Sequence, residues 1–388
     1  MQIRISYLAT VLASLLLLLI GHQIAVEGLE FFFSDDQEHV RARVIEITGR
    51  LQPEDMLFHF DDDDDFYIDD ILLSLIGETI VFNAEITSGN RRGQIVRSEQ
   101  NLRDYIHFTL EEVKEGQTVL LINTGMGWHF SGIIRTDRII ILGLLFIAAL
   151  LFFGRKKGFN TILSLAFTCL AVFTVFIPSI LSGKNIFLMA ALVCVFTTVV
   201  TLVLVMGYNK KSLAAAIGCI SGLLAAGLIT LIMDRVLLLT GVLNEQSLQL
   251  VYLPLSNPID LKAIIFAGIV IGAMGAIMDV SMSISSSLWE IKEEAKTIKF
   301  KALFRSGLNI GKDIMGSMAN TLILAYIGSS LSVILVLIVI SNSLMQLLNM
   351  EMIIVEILQA LSGSFGILLA MPLTAFFAAV FFTGKKKK

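Results

Sequence analysis

Histidine is absent after His129 in this 388-residue chain, although five occur up to and including that residue. Everything downstream therefore has no imidazole for proton relay or metal binding, and any relay there must use carboxylates, hydroxyls or water. Cysteine is nearly as scarce. The three present, Cys169, Cys194 and Cys219, all fall in apolar runs, so no disulfide framework supports the N-terminal part, and they read as small packing residues. Charged residues make up 16% of the chain, below the roughly 25% of soluble domains. No glycine-rich phosphate loop, HExxH or GxSxG motif occurs, which leaves no recognisable ATP site and no hydrolase signature. Neither enzymatic activity, nor a cofactor, nor a nucleic-acid partner is expected.

Hydrophobic residues, by contrast, reach 55% of the chain, and the mean hydropathy is +0.80. Several membrane spans account for this. The net charge of -4 conceals an asymmetry, because roughly two thirds of the acids lie between Glu27 and Asp137 and most Lys and Arg follow. Runs of about 20 apolar residues give eight candidate spans: Tyr7 to Ile24, Ile139 to Phe153, Thr161 to Leu181, Ile186 to Met206, Leu213 to Leu239, Leu261 to Leu288, Ile314 to Leu337 and Ile357 to Phe382. The first has Arg4 ahead of a leucine-rich core but no Ala-x-Ala-like site after it, so it reads as an uncleaved signal anchor. Basic residues at Arg155 to Lys157, Lys210 and Lys211, Lys292 to Lys312 and Lys385 to Lys388 share one side with Arg4. By the positive-inside rule both termini are then cytoplasmic and residues 25–138 lie outside the cell membrane. The expected architecture is an α-helical polytopic membrane protein of about eight transmembrane helices with a small extracytoplasmic β-barrel-like domain. Its parts are an anchor at 1–24, the acidic β-rich domain at 25–138 and seven helices over 139–388, with a cytoplasmic amphipathic segment at 289–313.

In the acidic part, strand-like alternation covers Val40 to Ile47, Ile80 to Ile86, Gln94 to Arg97, Tyr105 to Leu110 and Thr118 to Ile122, punctuated by Gly89, Gly93 and Gly116. Five short strands with glycine turns predict a small barrel of OB or SH3 type. The run Asp61 to Asp65, flanked by His59, Asp69 and Asp70, offers Asp61, Asp63 and Asp65 as weak candidate ligands for a hard cation. It lacks the glycine and terminal glutamate of an EF-hand loop, and consecutive acids form a solvated, self-repelling loop. His39, His59, His107 and His129 show no zinc-ligand spacing.

The sixth span holds the strongest functional signal. Gly268, Gly272, Gly275, Asp279, Ser283, Ser287 and Glu290 recur at steps of three or four, forming one stripe on a helix. The glycines, like Gly218 and Gly222 in the fifth span, are expected at close helix approaches. A carboxylate is not required for packing. Asp279 lies ten residues before Trp289, or about 15 Å along the helix, near the middle of a hydrocarbon core about 30 Å thick. A charge there costs several kcal/mol unless it meets a protein neighbour, water or an ion, which makes Asp279 the leading site residue. Beyond Trp289, the segment Glu290 to Arg305 carries Ile291, Ala295, Ile298, Ala302 and Phe304 for an interfacial helix. The chain re-enters through Asp313 and Asn320, and a hairpin of spans six and seven is expected to bring Asn320 toward Asp279. Asp234 beside Arg235 reads as a local ion pair, with an entry-site charge as the alternative.

The segments Gly275-Ala-Ile-Met-Asp279-Val-Ser-Met-Ser, Arg305-Ser-Gly307-Leu-Asn309-Ile-Gly311-Lys-Asp313-Ile-Met-Gly316 and Asn320-Thr-Leu-Ile-Leu-Ala-Tyr326-Ile-Gly328 resemble the YibE/F-like family of bacterial multi-pass membrane proteins. The segment Ser88-Gly89-Asn-Arg-Arg-Gly93-Gln is similar to that family too, so the resemblance runs from about Val40 to Leu373. It implies a bacterial membrane location and leaves mechanism and substrate open. A helix with a mid-membrane Asp on a small-residue stripe, followed by one with Asn and Thr, is also similar to the centre of resistance-nodulation-division transporters and of the SecD/SecF translocase components. The function expected is a transporter or export-associated permease, with Asp279 as proton or cation acceptor supported by Asn320, Ser283 and Asp313. The alternative is a non-transporting scaffold or sensor whose outer domain binds an envelope partner. Expected partners are the lipid bilayer and a second copy of the chain or a related membrane protein.

Overall fold

The structure, a computed structural model, describes residues 2–27, 38–51, 78–102, 111–125, 127–253 and 258–384. The chain separates into two compact units, Glu30–Ala148 and Met1–Leu29 with Ala149–Lys388.

The first unit is a closed five-stranded barrel of β1 (Glu38–Leu51), β2 (Glu78–Ile86), β3 (Ile95–Leu102), β4 (Thr118–Asn123) and β5 (Trp128–Ile133), ordered β1-β2-β3-β5-β4. All pairings are antiparallel except β3 with β5. This Greek-key connectivity is of the OB rather than the SH3 kind. Alternation puts Val40, Ala42 and Val44 of β1 inside with Ile80, Phe82, Ala84 and Ile86 of β2, Val96 of β3 and Val119 and Leu121 of β4. Burying each large apolar side chain here contributes about 1.5–3 kcal/mol. Two bulges in β1, between Val44 and Glu46 and between Ile47 and Gly49, let this longest strand curve enough to pair on both edges. Gln100 ties down the β3–β4 connection, donating to the Glu111 carbonyl at 3.1 Å and accepting from the Val113 amide at 2.8 Å. The strand β5 has no counterpart in the sequence pattern, because Trp-His-Phe-Ser-Gly-Ile does not alternate. The expected strand Tyr105 to Leu110 and the Asp61 to Asp65 run lie outside the described residues.

The second unit is helical, and with the barrel it makes the chain a mostly helical multi-pass protein. Its elements are α1 (Gln2–Val26), α2 (Thr136–Leu170, begun in the first unit), a π-helical segment (Ala171–Phe176), α3 (Ile177–Leu181), α4 (Ile186–Met206), α5 (Lys210–Val236), α6 (Glu245–Val251), α7 (Leu261–Glu294), α8 (Phe300–Ser329), α9 (Leu331–Ile340), α10 (Leu344–Asn349) and α11 (Glu351–Thr383). Among the described residues six helices are long and apolar enough to cross a membrane, or seven if α8 and α9 form one bent span. Three details bear on the expected spans. Thr136–Leu181 is a single 46-residue stretch, but Arg155 leaves helical geometry (φ 47°, ψ -123°) and Gly158 packs directly on the Leu150 carbonyl. A straight helix would hold those two residues about 12 Å apart, so the chain turns back sharply here. The expected straight span Ile314 to Leu337 is bent by 63° where α8 meets α9, at a Gly328-Ser329-Ser330 cluster whose last residue leaves the helix. The segment Glu290 to Arg305 is no separate interfacial helix. It is the end of α7, a turn, and the start of α8, and Ile291, Ile298 and Phe304 pack onto the helical core.

The core of this unit is built on small residues. Gly218 and Gly222 of α5 face Thr374, Ala370 and Gly366 of α11 with no room for a side chain, so the two backbones come into contact. Thr374 donates to the Ser281 hydroxyl at 3.2 Å, joining α11 to α7, and Ser285 of α7 donates to the Lys211 carbonyl at 2.7 Å. At another corner the Glu351 carboxylate, at the start of α11, accepts from the Thr240 and Gly241 amides, both at 2.7 Å, and from the Thr240 hydroxyl at 2.8 Å. The helix dipole of α11 favours a negative charge at that end.

Candidate functional site

Asp260 caps α7, its side chain accepting from the Ala263 amide at 3.2 Å, and the helix then runs 34 residues without a break. Most of its circumference is closed. Ala263, Ala267, Val270, Ala273, Ile277, Val280, Ser281, Ile284 and Leu288 are buried against the neighbouring helices. The remaining arc is the stripe read from the sequence, and it faces outward. Gly268, Gly272, Gly275 and Asp279 are exposed, and Ser283 and Ser287 are half-buried. A side-chain carbon at Gly268 or Gly275 would meet nothing within 4 Å. These two glycines therefore do not serve close packing within one chain, unlike Gly218 and Gly222. Gly272 is the exception, since the Tyr326 hydroxyl of α8 and the Gln359 amide of α11 lie over it.

The helix α8 lies antiparallel beside α7. Gly307 packs on Leu288, Gly311 on Ile284 and Met371, and Leu322 meets Ala273 across Gly363 of α11. That register sets Gly316 level with Asp279, Asn320 level with Gly275, and Asp313 beside the level of Ser283. The hairpin thus brings the predicted residues to matching heights. It does not join them. Asp313, Gly316, Ser317, Asn320 and Thr321 are all exposed on the outer face of α8, whose packed face is Leu303, Gly307, Gly311 and Leu322. Among the described residues, no hydrogen bond or ion pair reaches Asp279, Asp313 or Asn320; Ser317 and Thr321 bond only within α8, to Ile314 and Ser317. The expected hydrogen bond from Asn320 to Asp279 within one chain is absent because α8 buries Gly307 and Gly311 and turns its polar stripe away. Asp234 and Arg235 likewise form no ion pair with each other.

Ser281, Ser285, Thr374 and Glu351, which carry polar contacts between elements of this unit, do not stand out in the sequence. A serine or threonine in an apolar run gives no signal of its partner. No group of three or more His, Cys, Asp or Glu is placed to hold a metal ion among the described residues. The Asp61, Asp63 and Asp65 candidates lie outside them. Chemically, the arrangement offers an unpartnered carboxylate on a flat glycine surface, with amide and hydroxyl groups on the adjoining helix.

No curated protein and no solved structure is significantly similar to this chain. A family model, described as YibE/F-like protein, matches residues 142–384, which takes in α7, α8, α11 and the whole exposed stripe but not the barrel strands. The resemblance noted around Ser88 to Gln94 falls outside that match. With well over half its length matched, this chain belongs to the YibE/F-like family of proteins.

Proposed function

We propose that the chain is an ion-coupled permease of the bacterial cell membrane in which Asp279 takes up and releases a proton or small cation within the membrane-spanning part of α7. The observation that carries this reading is a carboxylate with no partner, set among glycines on a helix whose other sides are tightly packed. Packing has no use for it there, and its charge is costly at hydrocarbon depth unless water or an ion reaches it. Protonation removes that cost, so loading and unloading of Asp279 would change which environment α7 prefers. Asn320, Ser317 and Ser283 are the nearest groups in height that could stabilise the charged form, and Asp313 stands nearer the same end of α8 as Lys312. Dividing the 46-residue stretch at Arg155 and counting α8 with α9 as one crossing gives eight crossings. With basic loops inside, both termini are cytoplasmic and the barrel is extracytoplasmic.

The test is proton uptake into proteoliposomes under an imposed membrane potential, comparing the parent with Asp279→Asn. Flux in the parent that falls at least tenfold in the variant, at equal reconstituted amounts, supports coupling through this carboxylate. Equal flux in both, or none in the parent with any monovalent cation, removes it.

A further inference from the structure

We infer that a second copy of this chain covers the exposed face of α7 and α8, so that the Asp279 stripe is completed between two copies rather than within one. The two outward faces are polar where a lipid-facing surface should be apolar. Asp279 is exposed on α7, itself a candidate span, and Ser317, Asn320 and Thr321 are exposed on the part of α8 that joins α9 in one bent candidate span. Lipid satisfies none of these groups, so a polar surface at that depth is covered by protein or by a water-filled space.

The heights of the residues point to the occupant. The register of α7 on α8, set by the contacts at Gly307, Gly311 and Leu322, places a glycine of one helix opposite a polar side chain of the other. Gly316 is level with Asp279, and Gly275 is level with Asn320. A two-fold axis along the membrane normal preserves every height. It therefore presents Asp279 of one copy to Gly316 and Ser317 of the other, and Asn320 of one to Gly275 of the other. The same pairing is repeated by symmetry, as an isologous interface requires. The bulky polar groups meet glycines that are free of contacts in the single chain. Serine and asparagine donors come within a helical turn of the carboxylate. Small residues that let backbones approach, with polar groups bonding across, are what drive helix association where the hydrophobic effect is absent. A lipid-only environment gives no reason for this complementarity. The inference shares with the coupling reading the placement of Asp279 in the membrane, but does not depend on ion movement.

Cross-linking tests it. Two differently tagged chains are co-expressed, both with the exposed Cys169 replaced by serine, one carrying Gly275→Cys and the other Asn320→Cys. Membranes are then oxidised with copper phenanthroline. The expected result is a covalent species bearing both tags at twice 42.6 kDa, with at least tenfold less of it when both chains instead carry Leu224→Cys, on an exposed position of α5. Absence of the double-tagged species, equal yield from the Leu224 pair, or a bond from either cysteine to a different protein overturns the proposal. Light scattering of the unmodified protein in mild detergent gives a second reading: a two-chain mass is expected, and a single-chain mass at all concentrations overturns it. Proton flux separates the two ideas. Flux that depends on Asp279 without the 275–320 bond leaves coupling standing and the interface refuted, whereas the bond without such flux does the reverse.

Discussion

Two glycines of the same helical unit are expected to respond to alanine with opposite signs. A methyl group at Gly222 would sit 2.7 Å from the Ala370 Cβ, 2.8 Å from the Gly366 carbonyl oxygen and 2.9 Å from the Ile277 Cγ2. Carbon atoms pack best at about 3.5–4.0 Å, so α5 must retreat from α11 by about 1 Å. Two of those three neighbours are backbone or Cβ and cannot swing aside. Overpacking of this kind costs about 1–3 kcal/mol, and alanine's better helix propensity returns at most about 1 kcal/mol. Gly268→Ala meets nothing within 4 Å, so only the propensity gain applies. The two variants should therefore differ by about 2 kcal/mol, roughly thirtyfold in the folded-to-unfolded ratio. Equilibrium unfolding in mixed micelles, dilute enough to keep chains separate, measures it. A Gly222→Ala variant as stable as the parent, or a Gly268→Ala variant equally damaged, would refute the argument that backbone contact with α11 distinguishes these positions.

Removing the Glu351 carboxylate by Glu351→Ala orphans the Thr240 and Gly241 amides and should cost about 1–2 kcal/mol after allowance for exposure; the readout is faster proteolysis between Leu237 and Asp260, with no effect on the barrel. In the barrel, Gln100→Ala leaves the buried Val113 amide without its acceptor and should lower stability by about 1–3 kcal/mol, seen as accelerated hydrogen exchange at Val113 while β1 and β2 stay protected. Thr374→Val keeps the shape but loses the hydroxyl that joins α11 to Ser281, and a loss of about 0.5–1.5 kcal/mol is expected in the same micelle assay; no change would show that Ser281 is content with its own helix.

Membrane character, the barrel and the stripe on α7 were legible in the chain because each rests on composition or on short-range periodicity. Apolar runs of about 20 residues have one stable solution in a bilayer, and alternation at Val40 to Ile47 and Ile80 to Ile86 can bury one face only as strand. The steps among Gly268, Gly272, Gly275 and Asp279 place them on one side of a helix whatever surrounds it. Which way that side points depends on long-range packing. Leu303, Gly307 and Gly311 bind α8 to α7 and α11, so Asn320 is carried to the surface instead of to Asp279, and a hydrogen bond that spacing alone allows does not form within the chain. Tertiary contact also decided that Gly218 and Gly222 seal a helix crossing while Gly268 and Gly275 stand free, a distinction that four identical residues at similar spacing cannot express. The parallel pairing of β5 with β3 belongs to the same class, because it is set by contacts between residues remote in sequence, which leave no periodic trace.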